Sequence, residues 1–145
     1  MEMINTNPKI FENQIIEFEI QNNIKVPKKY KEFLLKWNGG LVEPNLFYIS
    51  ESQGISALNI FFGIGEMYDN LDDFFEIYKG RIPDGFIPMG DDSAGNIICV
   101  GTTGKYQEKI YFWSHEEEVE NPNTMENMFI LAEDIFQFLD NLYEE

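Results

Sequence analysis

The sequence predicts an α+β fold: a mostly antiparallel sheet preceded by a pair of helices, with a short helix in the middle and another at the end. Three observations carry this. Apolar residues recur at helical spacing in the first forty residues, near position 74 and at the C-terminus. Short aromatic and β-branched runs broken by turn residues fill the rest. The helices are too few to serve as crossovers of a parallel sheet. The length of 145 residues matches one domain at roughly 150 residues each, so residues 1–145 are expected to fold as one unit, with no internal repeat and no linker.

Each element follows from local chemistry. Asn7 can cap and Pro8 can open a helix whose apolar face is Phe11, Ile15 and Phe18, and which must stop before Val26-Pro27. A second helix starts at Pro27, carries Tyr30, Phe33, Leu34 and Trp37 on one face, and ends at Asn38-Gly39-Gly40 through left-handed backbone. Leu46-Phe47-Tyr48-Ile49 and Leu58-Asn59-Ile60-Phe61-Phe62 read as two strands. Asn70, with Asp73 three residues on, starts a third helix with Leu71, Phe74, Phe75 and Tyr78 on its face, ended by Lys79-Gly80. A meander follows: Phe86-Ile87-Pro88-Met89, a turn from Gly90 to Asn96, Ile97-Ile98-Cys99-Val100, a turn from Gly101 to Gly104, and Ile110-Tyr111-Phe112-Trp113. Met128-Phe129-Ile130-Leu131 fits either a short strand or the beginning of a helix, and Ile135, Phe136, Leu139 and Leu142 mark the last helix. Tyr30, Phe33, Trp37, Phe74, Ile98, Trp113, Phe136 and Leu139 are expected in one core.

Composition narrows the function classes. Ten basic against 26 acidic residues give a net charge of −16, which argues against direct binding to nucleic acid. A hydrophobic content of 43% and 13 phenylalanines argue against a disordered acidic tail. The single cysteine cannot form an internal disulfide, and Met1-Glu2-Met3-Ile4-Asn5 has neither a basic nor an apolar targeting region. No apolar run approaches the ~18 residues of a membrane span, so a soluble, cytoplasmic protein is expected.

Catalytic and metal motifs do not assemble. His115 has no second histidine at metal-ligand spacing, and a strand-end histidine beside solvated glutamates explains it better. Cys99 lies inside an apolar run and reads as a buried structural cysteine rather than a nucleophile. Asp91-Asp92-Ser93-Ala94-Gly95-Asn96 starts like a calcium loop but lacks the closing glutamate. Gly63-Ile64-Gly65 lacks the third glycine of a dinucleotide fingerprint and the lysine of a phosphate loop. No catalytic residue, cofactor or metal is therefore expected.

Charge placement is the informative feature. Between Trp37 and Tyr78 stand seven acidic residues, Glu43, Glu51, Glu66, Asp69, Asp72, Asp73 and Glu76, and no lysine or arginine. From Ser114 onward stand ten more and again no basic residue, while five of the ten basic residues lie between Lys25 and Lys36. Such a pattern is either a solvated surface that maintains solubility or a field that steers a basic partner.

The chain resembles the SUKH superfamily, the Smi/Knr-type domains found as immunity proteins in bacterial polymorphic-toxin systems and in fungal cell-wall regulators. The resemblance is carried by Phe18-Glu19, by Val26-Pro27-Lys28-Lys29-Tyr30-Lys31-Glu32-Phe33-Leu34 and by Trp37-Asn38-Gly39-Gly40. It continues in Ile82-Pro83, Phe86-Ile87-Pro88-Met89-Gly90-Asp91-Asp92, Gly95-Asn96, and the run from Lys109 to Glu116. Ile130 to Leu139 closes it, so the blocks stand in family order over nearly the whole chain.

The resemblance implies a non-enzymatic α+β binding domain that neutralises a cognate protein toxin, often a nuclease. The alternative is a regulatory scaffold unrelated to toxins, as in the fungal relatives. Toxin-facing residues vary within the family and do not carry over. Charge alone selects the expected partner-binding residues: Asp72, Asp73 and Glu76 on the third helix, Asp91 and Asp92 at the turn, and Glu116, Glu117, Glu118 and Glu120. No contact with nucleic acid or membrane is expected.

Overall fold

A computed structural model describes all 145 residues. The elements run β1 (Glu2–Ile4), α1 (Glu12–Asn22), α2 (Lys28–Trp37), β2 (Leu41–Glu43), β3 (Leu46–Ser50), β4 (Gly54–Phe61), α3 (Leu71–Tyr78), β5 (Phe86–Asp92), β6 (Ile97–Gly101), β7 (Ile110–Trp113), β8 (Met128–Ala132) and α4 (Ile135–Asp140). The class is α+β. β3 to β8 form one antiparallel meander in chain order, and β1 pairs with β2 in a separate two-stranded sheet. The long sheet curls until its two edge strands approach each other, and after α4 the chain returns so that Tyr143 exchanges both backbone hydrogen bonds with Leu46 of β3. A meander places the β3–β4, β5–β6 and β7–β8 connections at the same end of the sheet.

Side chains alternate across each strand, and both faces of this sheet are covered. All five residues of β6 are buried: Ile98 and Val100 point to a main core of 26 buried residues roofed by α1, α2 and α4, while Ile97 and Cys99 point to a second cluster of six. Aromatic rings bind the main core together, with Phe33 of α2 against Phe61 of β4 at 5.0 Å and Phe47 of β3 against Phe138 of α4 at 5.5 Å between centroids. The second cluster centres on the fully buried Trp113, which packs edge-on against Tyr78 of α3. The expected single core is thus two. Tyr30, Phe33, Ile98 and Leu139 lie in the main one and Trp113 in the other, while Trp37, Phe74 and Phe136 are only half-buried against the main core.

Helix 1 begins at Glu12 rather than near Asn7. Phe11 is the capping residue through its backbone, its N–H donating to the Gln14 side chain at 2.9 Å. Asn7 is used elsewhere, its amide donating to the carbonyl of Asn38 at 2.8 Å, so a long-range hydrogen bond outcompetes a local cap. Lys28–Trp37 and Leu71–Tyr78 match the expected second and third helices, and the Asn70 side chain accepts from the Asp73 N–H as its spacing predicts. Met128–Ala132 is a strand, the last helix stops at Asp140, and β1 and β2 are additional.

Asn38, Gly39 and Gly40 all take positive φ, turning the chain from α2 into β2. A side chain at Gly39 would stand 2.7 Å from the carbonyl oxygens of both Phe61 and Phe62, so glycine is needed for space as well as for φ.

Candidate functional site

The structure sorts the acidic residues by what each is already doing. Asp92 is not a surface group. It lies at the end of β5, not in the turn, is 3% exposed, and its carboxylate accepts hydrogen bonds from Ser56 Oγ, the Ala94 and Asn96 N–H groups and Asn96 Nδ2, at 2.7 to 3.0 Å. Its charge shapes the β5–β6 hairpin and is withdrawn from any partner. Asp92→Ala, which strands those donors, is expected to lower unfolding free energy by about 2–3 kcal/mol, measured by urea denaturation with an unchanged m-value.

Asp91, its neighbour, is half-buried on the Trp113 face and accepts from Asn59 Nδ2 at 3.0 Å. Burial raises its carboxyl above the usual range, the Asn59 hydrogen bond opposes this, and the nearby charges of Asp69 and Asp92 push it up further. A carboxyl whose folded pKa is raised destabilises the fold once ionised; the cost is absent below the unfolded pKa and grows as pH rises through the folded one. Asp91→Asn is therefore expected to raise the melting temperature at pH 7 and to change it little near pH 3, where both states hold the proton. A melting temperature lowered at pH 7 would sink this account.

At the β7–β8 connection, Ser114 leads into a short 3-10 turn at His115–Glu117, held by the His115 N–H donating to Asn96 Oδ1 at 3.0 Å. Glu116 and Glu120 are exposed and free of ion pairs. Glu117 accepts from Gln53 Nε2 of the β3–β4 hairpin at 2.7 Å. Glu118 is held by Arg81 in a two-pronged pair, Nε and Nη2 each at 3.0 Å, and that hydrogen bond keeps its carboxyl below the usual range. Arg81 also lies over the rings of Tyr78 and Trp113, at 4.9 and 5.5 Å from their centroids. Glu118 is thus half of a clamp closing the second cluster, and its charge is compensated.

On α3, Asp72 accepts from Asn22 Nδ2 of α1 at 3.1 Å, and Asp73 from Asn70 Nδ2 at 2.9 Å, while Glu76 points to solvent. None of these three, nor Glu66 or Asp69 in the preceding loop, is in an ion pair. The structure sets Asp73 and Glu66 on one notch beside α3, Asp72 against α1 and Asp69 near Asp91, and leaves all of them without a cation partner. Glu116 and Glu120 form a second exposed group at the hairpin end.

Two apolar features lie outside the residues that charge selects. Ile16 and Ile20 on the exposed side of α1, with Phe75, Ile82 and Phe86, line an open groove of about 1020 Å³ between α1 and the segment after α3. On the other side of α3, Tyr68, Phe74 and Ile77 border a smaller notch. The i, i+4 pair Ile16 and Ile20 was the available signal for the groove, since both fall outside the Phe11, Ile15, Phe18 stripe. Cys99 is fully buried, and burial pushes its thiol far up, out of the range of a nucleophile. No group of three or more His, Cys, Asp or Glu side chains is placed to hold a metal ion. No helix is long and apolar enough to cross a membrane.

The fold is thus a curled antiparallel meander covered on both faces, with unpaired carboxylates on and before α3. The SUKH_6 family model, described as SMI1-KNR4 cell-wall, matches residues 12–139, and the chain belongs to that family. It is also similar to the SPbeta prophage-derived uncharacterized protein YokK of Bacillus subtilis (strain 168), 25% identical over 159 aligned positions that take in 98% of this chain and 77% of the relative. No solved structure matches it. SUKH domains include toxin-immunity proteins and are typically non-enzymatic.

Proposed function

We propose that residues 1–145 work as one immunity-type domain, cytoplasmic and non-enzymatic, that binds a cognate protein toxin and blocks it. The toxin is a nuclease, because such an enzyme must present a basic cleft to phosphates, and an acidic domain can occupy that cleft. The observation that supports this reading is the set of carboxylates around α3, Glu66, Asp69, Asp72, Asp73 and Glu76, that no lysine or arginine of the chain neutralises. Asp91, Glu116, Glu117 and Glu120 extend the field. Asp92 and Glu118 are left out because the fold uses their charges.

The test reverses exposed charges that make no ion pair and spares Asp92 and Glu118. Glu116→Lys with Glu117→Lys, and separately Asp73→Lys with Glu76→Lys, are compared with the parent for association with the toxin domain encoded at the same locus. At low salt each double variant is expected to slow association by about tenfold or more, and the difference should narrow at high salt, where rim charges are screened. Unchanged association at both salt concentrations, with the melting temperature retained, would reduce both runs to solvated surface. The family description, cell-wall, supports a second reading, a regulatory scaffold unrelated to toxins. A locus without a toxin gene and a partner from the host's own proteome would favour it.

A further inference from the structure

We propose that the notch bordered by Tyr68, Phe74 and Ile77 receives an arginine side chain from an apolar-basic segment of the partner, with the guanidinium against the exposed Tyr68 ring and among the carboxylates of Glu66 and Asp73. This rests on the reading above in one respect, that the partner is basic, and adds where and by what chemistry it anchors.

Three observations carry it. First, the surface here is both apolar and acidic. Tyr68 is 92% and Ile77 53% exposed, Phe74 is half-buried beside them, and Glu66, Met67, Asn70 and Asp73 complete the lining of a notch of about 370 Å³. An exposed tyrosine and isoleucine side by side give apolar area with no intramolecular use, and aromatic residues are what interfaces draw on for anchors.

Second, the charge is uncompensated. The exposed acids near the notch make no ion pair, whereas Glu12, Glu118, Glu133 and Asp134 elsewhere each have a lysine or arginine within 4.0 Å. No lysine or arginine of the chain lies within 4.0 Å of these carboxylates, so they are open to a cation from another molecule. Arginine fits better than lysine, because its planar group stacks on a ring while its N–H groups bond carboxylates. The chain builds the same arrangement internally, where Arg81 lies over Tyr78 and Trp113 and pairs with Glu118.

Third, the loop that presents Tyr68 is tied at its base. The Gly63 N–H donates to Asp69 O at 3.2 Å and the Leu71 N–H to Gly63 O at 2.8 Å. Inside that closure the backbone of buried Ile64 is held by Asn38, which accepts from its N–H at 2.8 Å and donates to its carbonyl at 2.9 Å. The tyrosine is therefore displayed by a fixed loop, which lowers the ordering entropy lost on binding.

The test uses the full chain, 15N-labelled, titrated at about 0.15 M salt with the blocked peptide Ac-Gly-Leu-Arg-Leu-Gly-NH2. The same peptide with citrulline in place of arginine is the control, matching its shape without its charge. Saturable amide shift changes confined to residues 66–77 are expected. Affinity should be at least about fivefold higher for the arginine peptide, and Tyr68→Ala and Glu66→Gln should each weaken it by about fivefold. Both substituted residues are exposed, so the melting temperature should stay with the parent. Shifts centred instead on Glu116–Glu120, no saturable shifts, equal affinity for the citrulline peptide, or indifference to Tyr68→Ala would each overturn the proposal. Its failure is separable from that of the toxin reading. A toxin held through the charges tested above, with no peptide binding at the notch, removes only the arginine anchor; peptide binding at the notch with no toxin bound removes only the toxin.

Discussion

Truncating Trp113 to alanine is expected to cost about 3–5 kcal/mol of unfolding free energy, the range for deleting a large buried aromatic side chain. The indole is fully buried and stands on β7 beside Ile97 of β6 and Met128 of β8, its cross-strand partners, all three in the second cluster. Tyr78 packs against it edge-on at 5.5 Å, and Arg81 closes over both rings. This cluster has only six buried members against 26 in the main core, so few neighbours can move in to fill the void, and the loss should sit toward the upper end. Trp113→Phe keeps an aromatic ring in the site and should cost less than half as much. Denaturant unfolding with intact far-UV circular dichroism is the measurement. A loss within about 0.5 kcal/mol, as for ordinary surface changes, would mean that the outer face of the sheet is not a core at all.

The short run Ile110-Tyr111-Phe112-Trp113 placed Trp113 on a strand, but four residues do not say what covers each face, and here α3 and the segment after it cover the Trp113 side. A β strand buried on both faces, such as Ile97–Gly101, reads as a continuous apolar run, and that signal was legible. The three-residue strands β1 and β2 were not, because Glu2-Met3-Ile4 and Leu41-Val42-Glu43 are too short for a period. Asp91-Asp92 looks like turn composition. It belongs to β5 because the Asp92 carboxylate faces inward and itself supplies the acceptors the following turn needs.

For the site, composition showed how much negative charge the chain carries and along which stretches. It could not show compensation, since Arg81 and Glu118 are 37 residues apart and Lys29 and Asp134 are 105 apart. Glu116, Glu117 and Glu118 therefore look alike in sequence, yet one is free, one bonds Gln53 and one is clamped. The acids around α3 were named from charge; Ile77 lies on α3 outside its Leu71, Phe74, Phe75, Tyr78 stripe, and the exposed Tyr68 beside it depends on how the β4–α3 loop folds, where periodicity does not reach.

Asn38→Ala is expected to cost about 4 kcal/mol, more than its apparent role as a helix terminator would suggest. Two effects combine. The side chain, fully buried, donates through Nδ2 to Pro8 O at 3.0 Å and to Ile64 O at 2.9 Å, and accepts at Oδ1 from the Ile64 N–H at 2.8 Å. It so links the segment before α1, the end of α2 and the loop after β4, and alanine leaves these backbone groups without their partner. The backbone at φ 54° is left-handed, which asparagine tolerates and alanine does not. Asn38→Gly separates the two effects: it relieves the backbone and still deletes the hydrogen bonds, so it should be about 1 kcal/mol less damaging than alanine. Asn38→Asp keeps the acceptor for Ile64 but removes both donors and buries a charge, and at neutral pH should be no better than alanine. Hydrogen exchange reads the local consequence. In the glycine variant the Ile64 amide should lose protection before the β6 amides do, because Asn38 holds the base of the loop that displays Glu66, Tyr68 and Asp69. An alanine variant within about 1 kcal/mol of the parent, or an Ile64 amide that exchanges no faster, would show that this loop is fixed by other contacts and that Asn38 serves only to end its helix.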